Sequence, residues 1–206
     1  MTSWIDSEFE ESKFADERLG KRLCRIVRQL FDRVGNTIPM ACQDWASTKA
    51  AYRFFSNPRL SEEEILEGHF QSTKSRVDEV DGTVLVLHDT TEITYKRSEP
   101  ADIGYTRKCA NRKGLFDQNQ KRAMCGVLMH SSLALTPEGL PLGFTAKKFW
   151  NRERFKGKRA LYRRKNATRI PIEKKESYRW LEGIRNSNKL LGDPYRLVHI
   201  GDREAD

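Results

Sequence analysis

Val84-Leu85-Val86-Leu87-His88-Asp89, followed by Thr90-Thr91, is an apolar, β-branched run of strand length that ends on an acid. A second run of the same kind, Leu197-Val198-His199-Ile200-Gly201-Asp202, precedes Arg203-Glu204-Ala205-Asp206. Each predicts a buried strand with a carboxylate at its C-terminal end. Between them, residues 123–135 and Leu140 to Trp150 flank the turn Pro137-Glu138-Gly139 and predict a hairpin. The polar stretch 96–122 predicts a long loop. Ile172 to Leu191 predicts a helix with Tyr178, Trp180, Leu181, Ile184 and Leu190 at its apolar positions, stopped by Gly192-Asp193-Pro194. Tyr195 to Ile200 is the last strand. The order strand, hairpin, helix, strand predicts that this last strand lies parallel to the first. Side by side, the two would present Asp89 and Asp202 at one edge. Paired carboxylates suit a hard divalent cation, Mg or Mn, and so point to metal-assisted phosphoryl transfer.

The chain upstream has a different period. From 9 to 34, Phe9, Phe14, Leu19, Leu23, Ile26, Val27, Leu30, Phe31 and Val34 recur at helical spacing. Arg18, Lys21, Arg22, Arg25 and Arg28 fall on the other side, and Gly35-Asn36 closes the pattern. Ile38-Pro39 predicts an extended segment or a turn. A helix over about 44–55 carries Trp45, Ala50, Ala51, Phe54 and Phe55 as its apolar set, and Asn57-Pro58 breaks it. Ser61-x-x-Glu64 predicts a capping box that starts a third helix, with Ile65, Leu66, Phe70, Thr73 and Val77 inward. The expectation is an all-helical domain over 1–80 and an α/β domain with a mixed sheet over 81–206, α/β overall.

Charge identifies the class of partner. The chain of 206 residues has a formal net charge of +9. From Lys147 to Lys175 there are 13 Lys/Arg against Glu153 and Glu173, a local +11. That density predicts a polyanionic partner. The candidate phosphate contacts are Lys156, Lys158, Arg159, Arg163 and Arg164 in this segment, and Arg18, Lys21, Arg22, Arg25, Lys49, Tyr52 and Arg53 in the helical part. Cys24, Cys42, Cys109 and Cys125 form no Cys-x-x-Cys pair, which argues against a zinc knuckle. The N-terminus is acidic and does not read as a signal peptide, and no run of about 18 apolar residues predicts a membrane span. His88 and His199 raise a rival, a mononuclear His/Asp metal site. Strand alternation opposes it, because His88 and Asp89 are neighbours and should face opposite ways. His69 and His130 carry no readable signal. Glu92 and Glu204 read as surface ion-pair formers.

Several short words occur in order along the chain. They are Phe14-Ala15-Asp16-Glu17-Arg18-Leu19-Gly20-Lys21-Arg22-Leu23, Ala51-Tyr52-Arg53-Phe54-Phe55-Ser56-Asn57-Pro58, His88-Asp89-Thr90-Thr91, Lys175-Glu176-Ser177-x-x-Trp180 and Asp202-Arg203-Glu204-Ala205-Asp206. The set resembles the insertion-sequence-four family of DDE-type, cut-and-paste bacterial transposases, which includes the transposon-five transposase. The resemblance implies a helical domain that binds transposon ends as double-stranded DNA, followed by a ribonuclease H-like catalytic domain. It implies that Asp89 and Asp202 are the first two catalytic, metal-ligating aspartates. It places the third, a glutamate in a Tyr-Arg-Glu-Lys context, beyond Asp206. The chain is therefore expected to be an N-terminal fragment of such an enzyme, inactive alone, with homodimerisation a property of the whole family member. A cytoplasmic, nucleoid-associated location follows from the same resemblance. The alternative is a DNA-binding module without chemistry that occupies transposon ends and inhibits an intact enzyme.

Overall fold

The computed structural model describes residues 3–95, 103–107, 124–152 and 170–202. The chain divides into two compact units, Met1–Asp81 and Gly82–Asp206.

The first unit is helical: α1 Trp4–Glu8, α2 Glu17–Phe31, α3 Ile38–Cys42, α4 Trp45–Phe55 and α5 Glu62–Asp78. Local chemistry sets three of the starts. Asp16 accepts from the Arg18 N–H, and Asp44 accepts from the Ser47 N–H at 2.7 Å. At α5 the capping box is complete: the Glu64 N–H donates to Ser61 Oγ at 3.1 Å, and the Ser61 N–H donates to Glu64 Oε2 at 2.8 Å. Ser61→Ala is expected to lower the stability of this unit by about 1 kcal/mol in urea denaturation, whereas Ser61→Asp keeps it. Leu23 and Ile26 of α2, Cys42, and Ala51 and Phe54 of α4 form the core, with Phe9, Phe14, Leu60 and Ile65 packed against it.

Two expectations are corrected here. The period over 9–34 is not one helix, because α2 begins only at Glu17. Helix α5 captures the end of α1: Arg76 Nη1 donates to Glu8 Oε2 at 2.7 Å, His69 Nδ1 lies 2.6 Å from Glu8 Oε1, and Ser72 Oγ donates to the Glu8 carbonyl at 2.9 Å. The segment after Glu8 crosses Gly68 so closely that an added Cβ would lie 3.0 Å from Phe9 Cα. Phe9 and Phe14 thus reach the core from outside α2. The second correction is Ile38-Pro39, which opens the short helix α3. A proline in the first turn loses no intrahelical bond.

The second unit holds a five-stranded mixed sheet and one α-helix among the described residues. The elements are β1 Val84–Tyr95, β2 Tyr105–Arg107, β3 Met124–Leu135, β4 Pro141–Trp150, α6 Tyr178–Leu191 and β5 Leu197–Ile200. The sheet order is β2-β3-β1-β5, with β4 also pairing β3. β1 and β3 are antiparallel from Leu85↔Leu135 to Tyr95↔Cys125. β1 and β5 are parallel from Val84↔Leu197 to Leu87↔Ile200, as the crossover predicted.

Three boundaries differ from expectation. β1 does not end at Asp89 but continues to Tyr95, because β3 offers backbone partners along its whole length. The segment before α6 is a separate 3₁₀ turn, Ile172–Lys174, and the α-helix starts at Tyr178. Tyr195 lies in a second 3₁₀ turn, Pro194–Arg196, that leads into β5. Residues of the expected long loop are described at 103–107, and Tyr105–Arg107 among them form β2.

The two sheet faces are unlike. Val84, Val86, His88, His130, Ser132 and Ala134 are buried on the face that α6 covers, and α6 turns Trp180, Gly183, Ser187 and Leu191 into the interior. The opposite face carries Leu85, Leu87, Val198 and Ile200, all partly or fully exposed. No helix among the described residues is long and apolar enough to cross a membrane.

Candidate nucleic-acid interface and carboxylate pair

In the helical unit, α2 and α4 enclose a groove of about 490 Å³ lined by Arg18, Leu19, Arg22, Ala46, Lys49, Ala50, Arg53, Phe54 and Asn57. Helical spacing explains the convergence. Arg18 and Arg22 are one turn apart on α2, and Lys49 and Arg53 are one turn apart on α4. Four cations and no acid line a common space, an arrangement that favours a polyanion. Of the other sequence candidates, Lys21 lies outside the groove and pairs with Glu17 at 3.8 Å. Arg25 is exposed one turn beyond Arg22. Its charge, after backbone and side-chain hydrogen bonds from Ser47, helps hold the Asp44 carboxyl below its usual range. Tyr52 is exposed on the flank of α4, outside the groove lining.

Two residues of α4 were assigned the wrong side. Trp45 was expected in the apolar set of α4, yet it is 79% exposed. Trp45, Lys49 and Tyr52 stand at i, i+4 and i+7, so they form one outward stripe, while Thr48, Ala51 and Phe54 are buried. That spacing was visible in the sequence and would have placed Trp45 beside the other candidates. Phe55 was also expected inside; it is 49% exposed and packs edge-on against Phe54.

In the α/β unit, the β1–β5 register ends at Leu87↔Ile200. Two residues further along each strand stand Asp89 and Asp202, both exposed. The pairing therefore brings the two carboxylates to corresponding positions beyond the end of β5. Asp89 is on the side of β1 opposite His88, which is 5% exposed. This alternation sets the histidines and Asp89 apart, against the mononuclear His/Asp reading. Among the described residues, no group of three or more His, Cys, Asp or Glu is arranged to hold a metal ion. Asp89 and Asp202 are two exposed carboxylates, the oxygen-donor type that Mg²⁺ takes beside several waters.

The basic segment is partly compensated. Lys156, Lys158, Arg159, Arg163 and Arg164 lie outside the described residues. Lys148 pairs with Glu182, and Arg152 Nε donates to Glu176 Oε2 at 3.0 Å. Burial raises the Glu176 carboxyl, but hydrogen bonds and charge from Arg152 outweigh it and leave the group below its usual range. Glu92, expected in a surface ion pair, accepts a hydrogen bond from Thr106 of β2.

Sequence reasoning missed the buried polar cluster beneath the sheet. His88 Nε2 lies 2.8 Å from His199 Nδ1, and His88 Nδ1 lies 2.8 Å from Ser132 Oγ. His199 Nε2 lies 2.9 Å from Asn188 Oδ1. Thr90 Oγ1 accepts from Arg179 Nε at 3.0 Å and lies 2.9 Å from His130 Nδ1. Burial pushes His88 down to about 4, helped by the charges of His199 and His130. Burial pushes His130 down to about 4 as well, reinforced by Arg179 and opposed by Asp89 and Asp202. His199 is lowered by burial. No signal marked His130, because its partners Thr90, Trp180 and Arg179 come from β1 and α6.

Gly183 allows α6 to sit over this cluster. A Cβ there would meet His88 Nδ1 at 3.0 Å and Ser132 Oγ at 3.1 Å. Gly183→Ala gains about 1 kcal/mol of helix propensity but overpacks a polar interior at a cost of about 1–3 kcal/mol. The expected net result is a lower melting temperature for the α/β unit; a rise would show that the neighbours yield freely.

Residues 1–60 match the family described as transposase DNA-binding. That segment contains α1 to α4 and all four cations of the groove. The match supports a transposase or DNA-binding role, and it falls on the helical region.

Proposed function

We propose that the chain belongs to a DDE-type cut-and-paste transposase of the insertion-sequence-four kind. In this reading the helical unit binds duplex transposon ends through the α2–α4 groove. The mixed sheet is a ribonuclease H-like scaffold, and Asp89 and Asp202 are its first two metal-ligating carboxylates. The observation that carries the proposal is the coincidence of the transposase DNA-binding match with the unit that holds the four-cation groove. The parallel β1–β5 pairing, which aligns Asp89 with Asp202, supports the catalytic half.

Arg18, Arg22, Lys49 and Arg53 would neutralise backbone phosphates, and Trp45 and Tyr52 would stack or wedge beside them. Asp89 and Asp202 would hold Mg²⁺ or Mn²⁺, which when bound polarises a phosphodiester and activates the attacking oxygen. A second reading is DNA binding without chemistry. It is favoured by the family match, which covers the DNA-binding segment, residues 1–60.

The test is binding of the chain to a duplex carrying the element's terminal repeat and to a scrambled duplex, over a salt series. Mn²⁺ titration of the chain and of Asp89→Asn and Asp202→Asn runs beside it. A preference for the terminal repeat that survives rising salt is expected. Each substitution is expected to weaken Mn²⁺ by about tenfold or more and to leave metal-free DNA binding unchanged. Equal affinity for the two duplexes would sink the end-recognition claim. Mn²⁺ binding indifferent to both substitutions would leave the module without chemistry as the function.

A further inference from the structure

Asp202 stands at the end of a weakly held strand. β5 has four register pairs with β1 and lies at the sheet edge. Val198 and Ile200 are 46% and 41% exposed, so apolar burial on their side of β5 is small. A slip of one residue would turn every β5 side chain to the other face and carry Asp202 away from Asp89. Arg196 Nε, donating to the Gly82 carbonyl at 2.8 Å, ties the start of the strand. Between that tie and Asp202, the side chain that engages the interior network is His199.

With the Asn188 carbonyl, rather than its amide nitrogen, facing the ring, the hydrogen bonds around His199 run in one direction. The Asn188 Oδ1 carbonyl can only accept, so His199 donates its Nε2–H. The Nδ1 of a neutral His199 is then an acceptor, and His88 donates its Nε2–H to it. In a neutral His88 the Nδ1 then accepts the Ser132 hydroxyl proton. The chain runs Ser132, His88, His199, Asn188, through β3, β1, β5 and α6. With its Nδ1 accepting, His199 is the neutral Nε2–H tautomer.

We propose that Asn188 and His199 are positioning residues for Asp202, locking β5 in register with β1 through this one-way hydrogen-bond chain. The role in metal binding rests on the proposed carboxylate pair; the register lock stands apart from it. Asn188 fixes the His199 tautomer from the rigid side, since α6 is packed against the sheet. His199 transmits that constraint to the strand three residues before Asp202.

The test uses the full chain with ¹⁵N-labelled histidine. Both His88 and His199 are expected as neutral Nε2–H tautomers; a His199 Nδ1–H tautomer would overturn the proposal. Asn188→Ala should speed amide exchange across Leu197–Ile200 by about 5–10-fold and leave the β1–β3 amides near wild type. It should also weaken Mn²⁺ by about tenfold, as loss of a positioning partner does. Asn188→Asp keeps an acceptor and should restore both. Ser187→Ala is the structural control: Ser187 is buried on the same helix and bonds Thr145 and the Gly183 carbonyl instead. Unchanged β5 exchange in Asn188→Ala, or equal β5 exchange in both alanine variants, would overturn the proposal. If Asp202→Asn leaves Mn²⁺ binding intact, the metal reading falls, and exchange at β5 still decides the register lock.

Discussion

Arg22→Ala combined with Arg53→Ala is expected to weaken binding to duplex DNA by about 60-fold at 0.1 M salt. Each cation that neutralises a phosphate releases about 0.9 counterion, so removing one contact loses a factor of about 8 at that salt concentration. Two contacts multiply to about 60, and the slope of log affinity against log salt should become shallower by about 1.8. The two residues come from different helices but line one groove, so their loss should be close to additive on DNA. Lys21→Ala is the control, because Lys21 lies outside the groove and opposite Glu17. Its effect should be clearly smaller. Fluorescence anisotropy across a salt series measures both quantities. An unchanged salt slope in the double variant would show that the groove does not face the phosphates.

Acid should destabilise the α/β unit well before it touches the main carboxylate pairing of the helical unit. His88 and His130 are each held at about 4 in the folded state, against 6.5 for the free side chain. The unfolded chain therefore binds more protons between these values. Stability is fully present above pH 6.5 and is lost as pH falls toward 4. A shift of this size corresponds to about 3 kcal/mol per histidine at most. Their mutual repulsion makes the two losses one coupled process. Glu8 behaves differently. Burial raises it, but hydrogen bonds from Arg76 and His69 outweigh burial and lower it below 4.5. Its contribution is present above pH 4.5 and is lost only below that. Amide exchange of β3 and of α5, followed from pH 7 to 4, separates the two windows. β3 should lose protection first, between pH 6.5 and 5. A flat β3 profile over that range would mean that the histidines titrate without opening the unit.

The same contrast explains what could be read without coordinates. The start of α5 was legible because Ser61 and Glu64 satisfy each other within four residues. The end of α4 was legible because Asn57-Pro58 follows it. The parallel placement of β5 followed from the handedness and length of a helical crossover. The basic positions of the groove were legible because helical spacing alone puts Arg18 near Arg22 and Lys49 near Arg53.

Other features depended on partners far away in the chain. The single period over 9–34 is interrupted because α5 holds Glu8, more than sixty residues distant in sequence. β1 extends past Asp89 because β3 lies beside it, and an isolated apolar run cannot announce how long its neighbour will be. Trp45 was assigned inward on its apolar character alone, against a helical spacing that puts it with Lys49 and Tyr52, and it is exposed.

The histidines show the limit most clearly. His88 and His199 are 111 positions apart yet lie 2.8 Å from each other, and His130 joins them from a third strand. By itself, the sequence determined the capping box of α5, the change of apolar period near residue 81 and the sites of positive charge, since each of these arises within a few residues of chain. Only the tertiary structure decided which strands meet, which faces are covered and which polar groups share an interior. Those outcomes depend on side chains desolvated together, and a buried donor is satisfied by whatever acceptor the fold brings to it.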